Sequence, residues 1–170
     1  EKIWVAYDEP SVTFDVIDNI NNDSIEKMIL KDEKGIDIIP DQIYFYPKKN
    51  QLILVDRFNL NSFISNKIFI VDATNNNLIE SFSFKFISAG PFAFNENTGV
   101  LYIRDILGLN NKVFVIDINE GEEIDLTIEN SKGIGTIAVN PNNNEIYVTI
   151  PSENKILIID GNTNKIVDVS

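Results

Sequence analysis

The residues of this chain best placed to do chemistry are carboxylates, because its 170 residues include no Cys and no His. That absence removes thiol nucleophiles, Cys-based zinc sites, disulfide staples, imidazole bases and imidazole metal ligands together. Four Asp residues stand at the ends of apolar runs: Asp18, Asp72, Asp117 and Asp160. In Asp160-Gly-Asn-Thr-Asn164, oxygen side chains fall at the first, third and fifth positions, as at the start of a calcium loop. Lys165 stands where that loop needs Gly, and its twelfth position falls beyond Ser170. The simpler role for all four is structural, a short carboxylate accepting N–H groups of a tight turn. Glu80, Glu122 and Glu123 read as solvent carboxylates and form no ordered pair. The expectation is therefore no catalytic residue, no metal and no cofactor.

A second group could make contacts. Arg57, Phe58 and Phe63 share the stretch from Asp56 to Asn66, and Lys34 and Asp37 share the stretch from Lys31 to Asp41. An Arg with aromatics on a long loop suits a contact patch. Equally, Phe58 and Phe63 could fold back to cap the structure beneath them. Asn22-Asp-Ser24 is an acceptor pattern for N-glycosylation. With 14 basic and 26 acidic side chains the net charge is −12, which argues against a nucleic-acid partner. No apolar run is long enough to predict a membrane span. The abundance of Ile and Asn reads as compositional bias without functional content.

The elements that carry these residues form a repeat. Lys67-Ile-Phe-Ile-Val-Asp72, Lys112-Val-Phe-Val-Ile-Asp117 and Lys155-Ile-Leu-Ile-Ile-Asp160 are alike, and Thr13-Phe-Asp-Val-Ile-Asp18 is a degraded copy. Upstream of each lies a short apolar run: Ile3-Trp-Val5, Leu52-Ile-Leu54, Leu101-Tyr-Ile103 and Ile146-Tyr-Val148. Before those come Ile43-Tyr-Phe45, Phe92-Ala-Phe94 and Ile137-Ala-Val139. After them come runs such as Leu78-Ile-Glu-Ser-Phe-Ser83 and Lys165-Ile-Val-Asp-Val169. The unit is thus four short segments, a, b, c and d. Each is rich in Ile, Val, Phe and Tyr and bounded by Asn, Gly, Pro and Asp, the signature of strands. No helical periodicity is present, so essentially no helix is expected.

Segments a, b and c are apolar at successive positions, as for strands covered on both faces. Segment d alternates, as for an outer, wetter strand. Four-stranded units of this period are blades of a β-propeller. A β-sandwich is the rival, but there every strand should alternate. The expected blades span about 1–30, which lacks strand a, then 36–84, 86–128 and 134–170, all within one partial propeller domain. Trp4, in the first b strand, is expected in the core. With the innermost strand of the first blade absent, the chain is expected to be a segment of a larger ring, or to pair with another chain.

Val139-Asn-Pro-Asn-Asn-Asn-Glu-Ile-Tyr-Val-Thr149 followed by Asn154-Lys-Ile-Leu-Ile-Ile-Asp-Gly-Asn-Thr-Asn-Lys-Ile-Val167 resembles the YVTN-type β-propeller repeat. The match is good over 134–170, fair over 86–128, where Leu101-Tyr-Ile103 replaces the Tyr-Val strand, and weak over 1–84. The resemblance implies a cell-surface or secreted propeller and no catalytic residue.

Loop lengths point to a working end. The a-to-b spacing is seven residues in Phe45–Leu52, Phe94–Leu101 and Val139–Ile146. The c-to-d spacing is also nearly constant. By contrast, the b-to-c spacing runs from 14 to 20 residues, and Ile25–Ile43 exceeds the other d-to-a spacings. In an up-and-down blade the variable b–c and d–a loops share one end, and insertions in repeat folds gather on the binding face. The expected function is a non-enzymatic extracellular module that binds a protein, a glycan or neighbouring copies through that end. The alternatives are a calcium-dependent lactonase-like hydrolase, using strand-a ends such as Asp41, Pro91 and Thr136, and a purely structural surface-layer component.

Overall fold

The computed structural model describes residues 2–6, 14–18, 24–56, 67–84, 89–105, 112–128 and 133–169. Among them the chain is all-β. It divides into two compact units, Glu1–Ser83 and Phe84–Ser170. The first unit holds a three-stranded sheet, β1 (Lys2–Ala6), β2 (Phe14–Asp18) and β3 (Ser24–Met28), in that order. Its second sheet runs β4 (Pro40–Tyr46), β5 (Gln51–Asp56), β6 (Lys67–Asp72) and β7 (Leu78–Ser83). The second unit holds β8 (Ala89–Asn95), β9 (Val100–Asp105), β10 (Lys112–Asp117) and β11 (Glu122–Thr127) in one sheet. Its other sheet is β12 (Ile137–Asn140), β13 (Glu145–Ile150), β14 (Lys155–Asp160) and β15 (Lys165–Val169). Every pairing is antiparallel between consecutive strands. These are three four-stranded blades and one three-stranded blade, the arrangement the repeat predicts.

Each unit has its own core. In the first, Leu52, Leu54, Phe69 and Val71 lie on one face of the sheet and pack with Leu30, Ile38 and Ala73. Trp4 packs against this cluster, as expected for it, and stacks on Phe45 with ring centroids 5.8 Å apart. In the second, Ala93, Tyr102, Val113 and Val115 meet Ile137, Ile146, Val148, Leu157 and Ile159. Each fully buried side chain of this kind contributes about 1.5–3 kcal/mol of transfer free energy.

The strands do not all share the burial their sequences suggest. β6 and β10 are buried at all four central positions. β14 has the same apolar pattern, yet its burial alternates beyond an exposed Lys155 and Ile156. The outermost strands are wet, as their sequences predict, and β15 is exposed throughout.

Asn is not merely compositional. Asn50, Gly99 and Asn144 occupy the same place in the three a–b turns, and all have positive φ. Asn76, Gly121 and Asn164 do the same in the c–d turns. This left-handed conformation is disfavoured for most side chains, and Gly and Asn are the residues that tolerate it. The Asn content of these turns is therefore conformational in origin.

Candidate functional site

The a–b and c–d turns close one end of each four-stranded sheet with a repeated pattern. The residue after the turn Asp donates its N–H to the carbonyl of the left-handed residue: Ala73 to Asn50 (3.1 Å), Ile118 to Gly99 (3.1 Å) and Gly161 to Asn144 (2.8 Å). Side chains add a second tie. Asn50 Nδ2 donates to Thr74 Oγ1 at 2.8 Å, and Asn144 Nδ2 donates to Asn162 Oδ1 at 2.9 Å. Where the a–b position is Gly99, the tie comes from the other side, with Asn119 Nδ2 donating to the Thr98 carbonyl at 3.0 Å.

Three of the four turn carboxylates singled out by the sequence, Asp72, Asp117 and Asp160, sit within this pattern. Asp72 Oδ1 accepts the N–H of Thr74 at 2.7 Å. Asp117 Oδ1 accepts the N–H of Asn119 at 2.8 Å. Asp160 Oδ1 accepts the N–H of Asn162 at 2.9 Å, and its Oδ2 accepts the Thr163 hydroxyl at 3.0 Å. Asp18 closes β2 opposite Ser24. The hydrogen bond from the Asn162 amide, helped by the Thr163 hydroxyl, holds the Asp160 carboxyl below the ordinary carboxylate range.

This shift fixes a sign. A folded-state pKa below the unfolded value stabilises above the unfolded value, and that contribution fades as pH falls through the folded one. Acid unfolding between about pH 5 and 2 should therefore be less steep in Asp160→Asn, which keeps a turn acceptor and loses the titration. Urea midpoints measured across that range test this. Parallel profiles for the variant and the parent would sink it.

The opposite end of the sheets carries the variable loops. Between β3 and β4, residues 31–37 form a clasped hairpin with an isolated bridge between Lys31 and Asp37. Asp32 Oδ1 accepts the N–H groups of Lys34 and Ile36, both at 2.9 Å, and Gly35 turns the chain with φ +76°. Asp32 Oδ2 pairs with Lys67 Nζ at 3.2 Å, and Glu33 Oε1 accepts the Ser81 hydroxyl at 2.5 Å. The amide of Ile36 is the main cause that holds the Asp32 carboxyl below its usual range. The d–a loop is thereby fastened to β6 and β7 of the sheet it enters.

The sequence-chosen residues of this loop fare differently. Asp37 is engaged by Lys31 Nζ at 2.5 Å. Lys34 is exposed. The residues that fix the loop, Asp32 and Glu33, went unnoticed in the sequence. The signal was there: Asp32-Glu-Lys-Gly35 has Asp at the first and Gly at the fourth position of a type I turn. Arg57, Phe58, Phe63 and Asn22 lie outside the described residues, as do the side chains of Asp18, Asp41 and Pro91. At the entry to β12, the Thr136 amide donates to Thr149 Oγ1 at 2.7 Å, and Arg104 Nη1 reaches the Gly135 carbonyl at 3.2 Å.

Among the described residues no group of three or more carboxylates is gathered as a metal site needs. None of their helices is long and apolar enough to cross a membrane. Searched against protein-family models and against curated proteins, the chain matches none.

Proposed function

We propose that this chain is a non-enzymatic binding module, secreted or displayed at the cell surface, that engages a protein or glycan with the b–c and d–a loops. The observation that carries the reading is the contrast between the two ends of the sheets. One end is closed by the same turn hydrogen bonds in each four-stranded sheet. All the large differences in loop length fall at the other. Where an end only has to close a blade, one solution suffices and recurs. Where it meets a partner, lengths and side chains diverge. The extracellular assignment rests on the resemblance to the YVTN-type repeat.

The contact patch is assigned to Arg57, Phe58 and Phe63 of the b–c loop, with Lys34 and Asp37, both exposed, of the d–a loop. The test is binding of the labelled chain to a glycan array and to a panel of immobilised extracellular-matrix proteins. Arg57→Ala, and Phe58→Ser with Phe63→Ser, should each reduce binding at least about tenfold, as for central interface residues, and leave the melting temperature unchanged. A fall in melting temperature with the double Phe change would instead show that the two rings cap the sheet. No binding to any member of either panel would count against the proposal.

A further inference from the structure

Each unit brings the same two repeat positions into play, and only the first unit joins them directly. Trp4 in β1 and Tyr102 in β9 hold the same place in the b strand, within Ile3-Trp-Val5 and Leu101-Tyr-Ile103. Asn76 and Asn164 hold the same place in the c–d turn of the next sheet, four residues after Asp72 and Asp160. Both Asn residues have positive φ. In the first unit Trp4 Nε1 donates to Asn76 Oδ1 at 3.5 Å. An aromatic side chain of one sheet thus reaches the turn amide of the other.

In the second unit these places hold a phenol and an amide. Neither the Tyr102 hydroxyl nor Asn164 Oδ1 has a partner among the described residues, and both atoms are shielded from bulk solvent. Tyr102 is 0% exposed and packs in the core with Ile146, Val148 and Ile159 of the facing sheet. Burial, helped by the charges of Asp160 and Asp117, pushes its phenol up to about 12, so the group is a neutral donor. The Asn164 amide donates to the Asp160 carbonyl in the c–d turn. The field of Asp160 at the phenol therefore sets the hydroxyl near the turn that Asn164 closes.

The other b-strand Tyr shows why this hydroxyl differs. Tyr147 donates to Glu145 Oε2 at 2.6 Å, two residues back on its own strand. The same position before Tyr102 is Val100, which has no side-chain acceptor. A desolvated donor and a desolvated acceptor are costly to leave unmade, and native structures satisfy such groups with protein or ordered water. A cation would suit the amide oxygen but would face the phenol proton. The nearby Asp160 carboxylate is also already engaged, by the Asn162 amide, Asn162 Nδ2 and the Thr163 hydroxyl. Water accepts from a phenol and donates to an amide oxygen at once.

We propose that Tyr102 and Asn164 form a binding site for one ordered water molecule, which accepts from the Tyr102 hydroxyl and donates to Asn164 Oδ1. The water does between β9 and the β14–β15 turn what the larger indole of Trp4 does directly in the first unit. It belongs to the same end of the sheets as the bond from Asn95 Nδ2 to Asn144 Oδ1, which crosses the same two sheets at 2.7 Å. The two sheets are then tied by one direct and one water-mediated polar contact above their shared apolar core.

The test is a crystal structure of the whole chain at a resolution that shows ordered water, with magnetic relaxation dispersion in solution to count long-lived internal waters. The parent should show one water within about 3 Å of both the Tyr102 hydroxyl and Asn164 Oδ1. Tyr102→Phe removes one oxygen and keeps the ring, and Asn164→Gly removes the acceptor and keeps the left-handed turn. Each should lose that water, and the count in solution should fall by one. Far-UV circular dichroism confirms that the variants fold, and either one suffices if the other does not. A direct bond from the Tyr102 hydroxyl to Asn164 overturns the proposal. So does an ion held at about 2.3–2.6 Å, the distance of a calcium ligand, or an unchanged water count in a folded variant.

Discussion

Phe69→Ala is expected to lower the unfolding free energy by about 3–5 kcal/mol, a large share of the roughly 5–15 kcal/mol that holds a domain folded. Phe69 is 2% exposed, in a strand with a neighbour on each side. Its ring packs with Leu52, Leu54 and Val71, and the Lys67 ammonium lies 5.7 Å from its centroid. Removing it takes away both the transfer free energy of the ring and the contacts lining the cavity it would leave. Trp4, the sole Trp, packs on the same cluster, so its fluorescence reports the loss directly in a urea titration. The informative control is Ile156→Ala. It changes a c strand of the same sequence pattern, but at an exposed position, and should cost less than about 1 kcal/mol. Equal costs at the two sites would contradict the difference in burial between β6 and β14.

The comparison shows what the sequence could and could not convey. Runs such as Lys67–Asp72 and Lys155–Asp160 report their strand character through branched and aromatic residues, and their turns through Asp, Asn and Gly. Both properties are local, which is why all four strand classes were legible. Cover is not local. β14 is as apolar as β6 and β10, but what lies against a strand depends on other segments, so its lower burial could not be read from its own residues. The clasp of residues 31–37 was obscured for a related reason. Lys34 and Asp37 looked available because they are charged and in a long loop, while Asp32 is engaged by Lys67, thirty-five positions away. Asn was misread because abundance hid position: the left-handed turn sites recur at one register and only a repeat alignment exposes them.

A second large effect is expected at the polar rim between β8–β11 and β12–β15. Asn95 is fully buried, donates from Nδ2 to Asn144 Oδ1 and accepts the Asn97 amide through Oδ1. Asn95→Ala deprives two part-buried partners at once, and should cost about 1–3 kcal/mol. Its counterpart Asn140 makes the same bond to the amide two residues on, but is half-exposed, so that water can replace what is lost. Asn140→Ala should therefore cost less than about 1 kcal/mol. A double-mutant cycle of Asn95→Ala with Asn144→Gly isolates the bond between sheets, because Gly keeps the left-handed turn and removes the acceptor. A coupling of about 0.5 kcal/mol or more is expected for residues in direct contact. If the two changes are simply additive, the rim bond contributes nothing to sheet packing. The turn end would then hold each sheet closed without joining it to its neighbour.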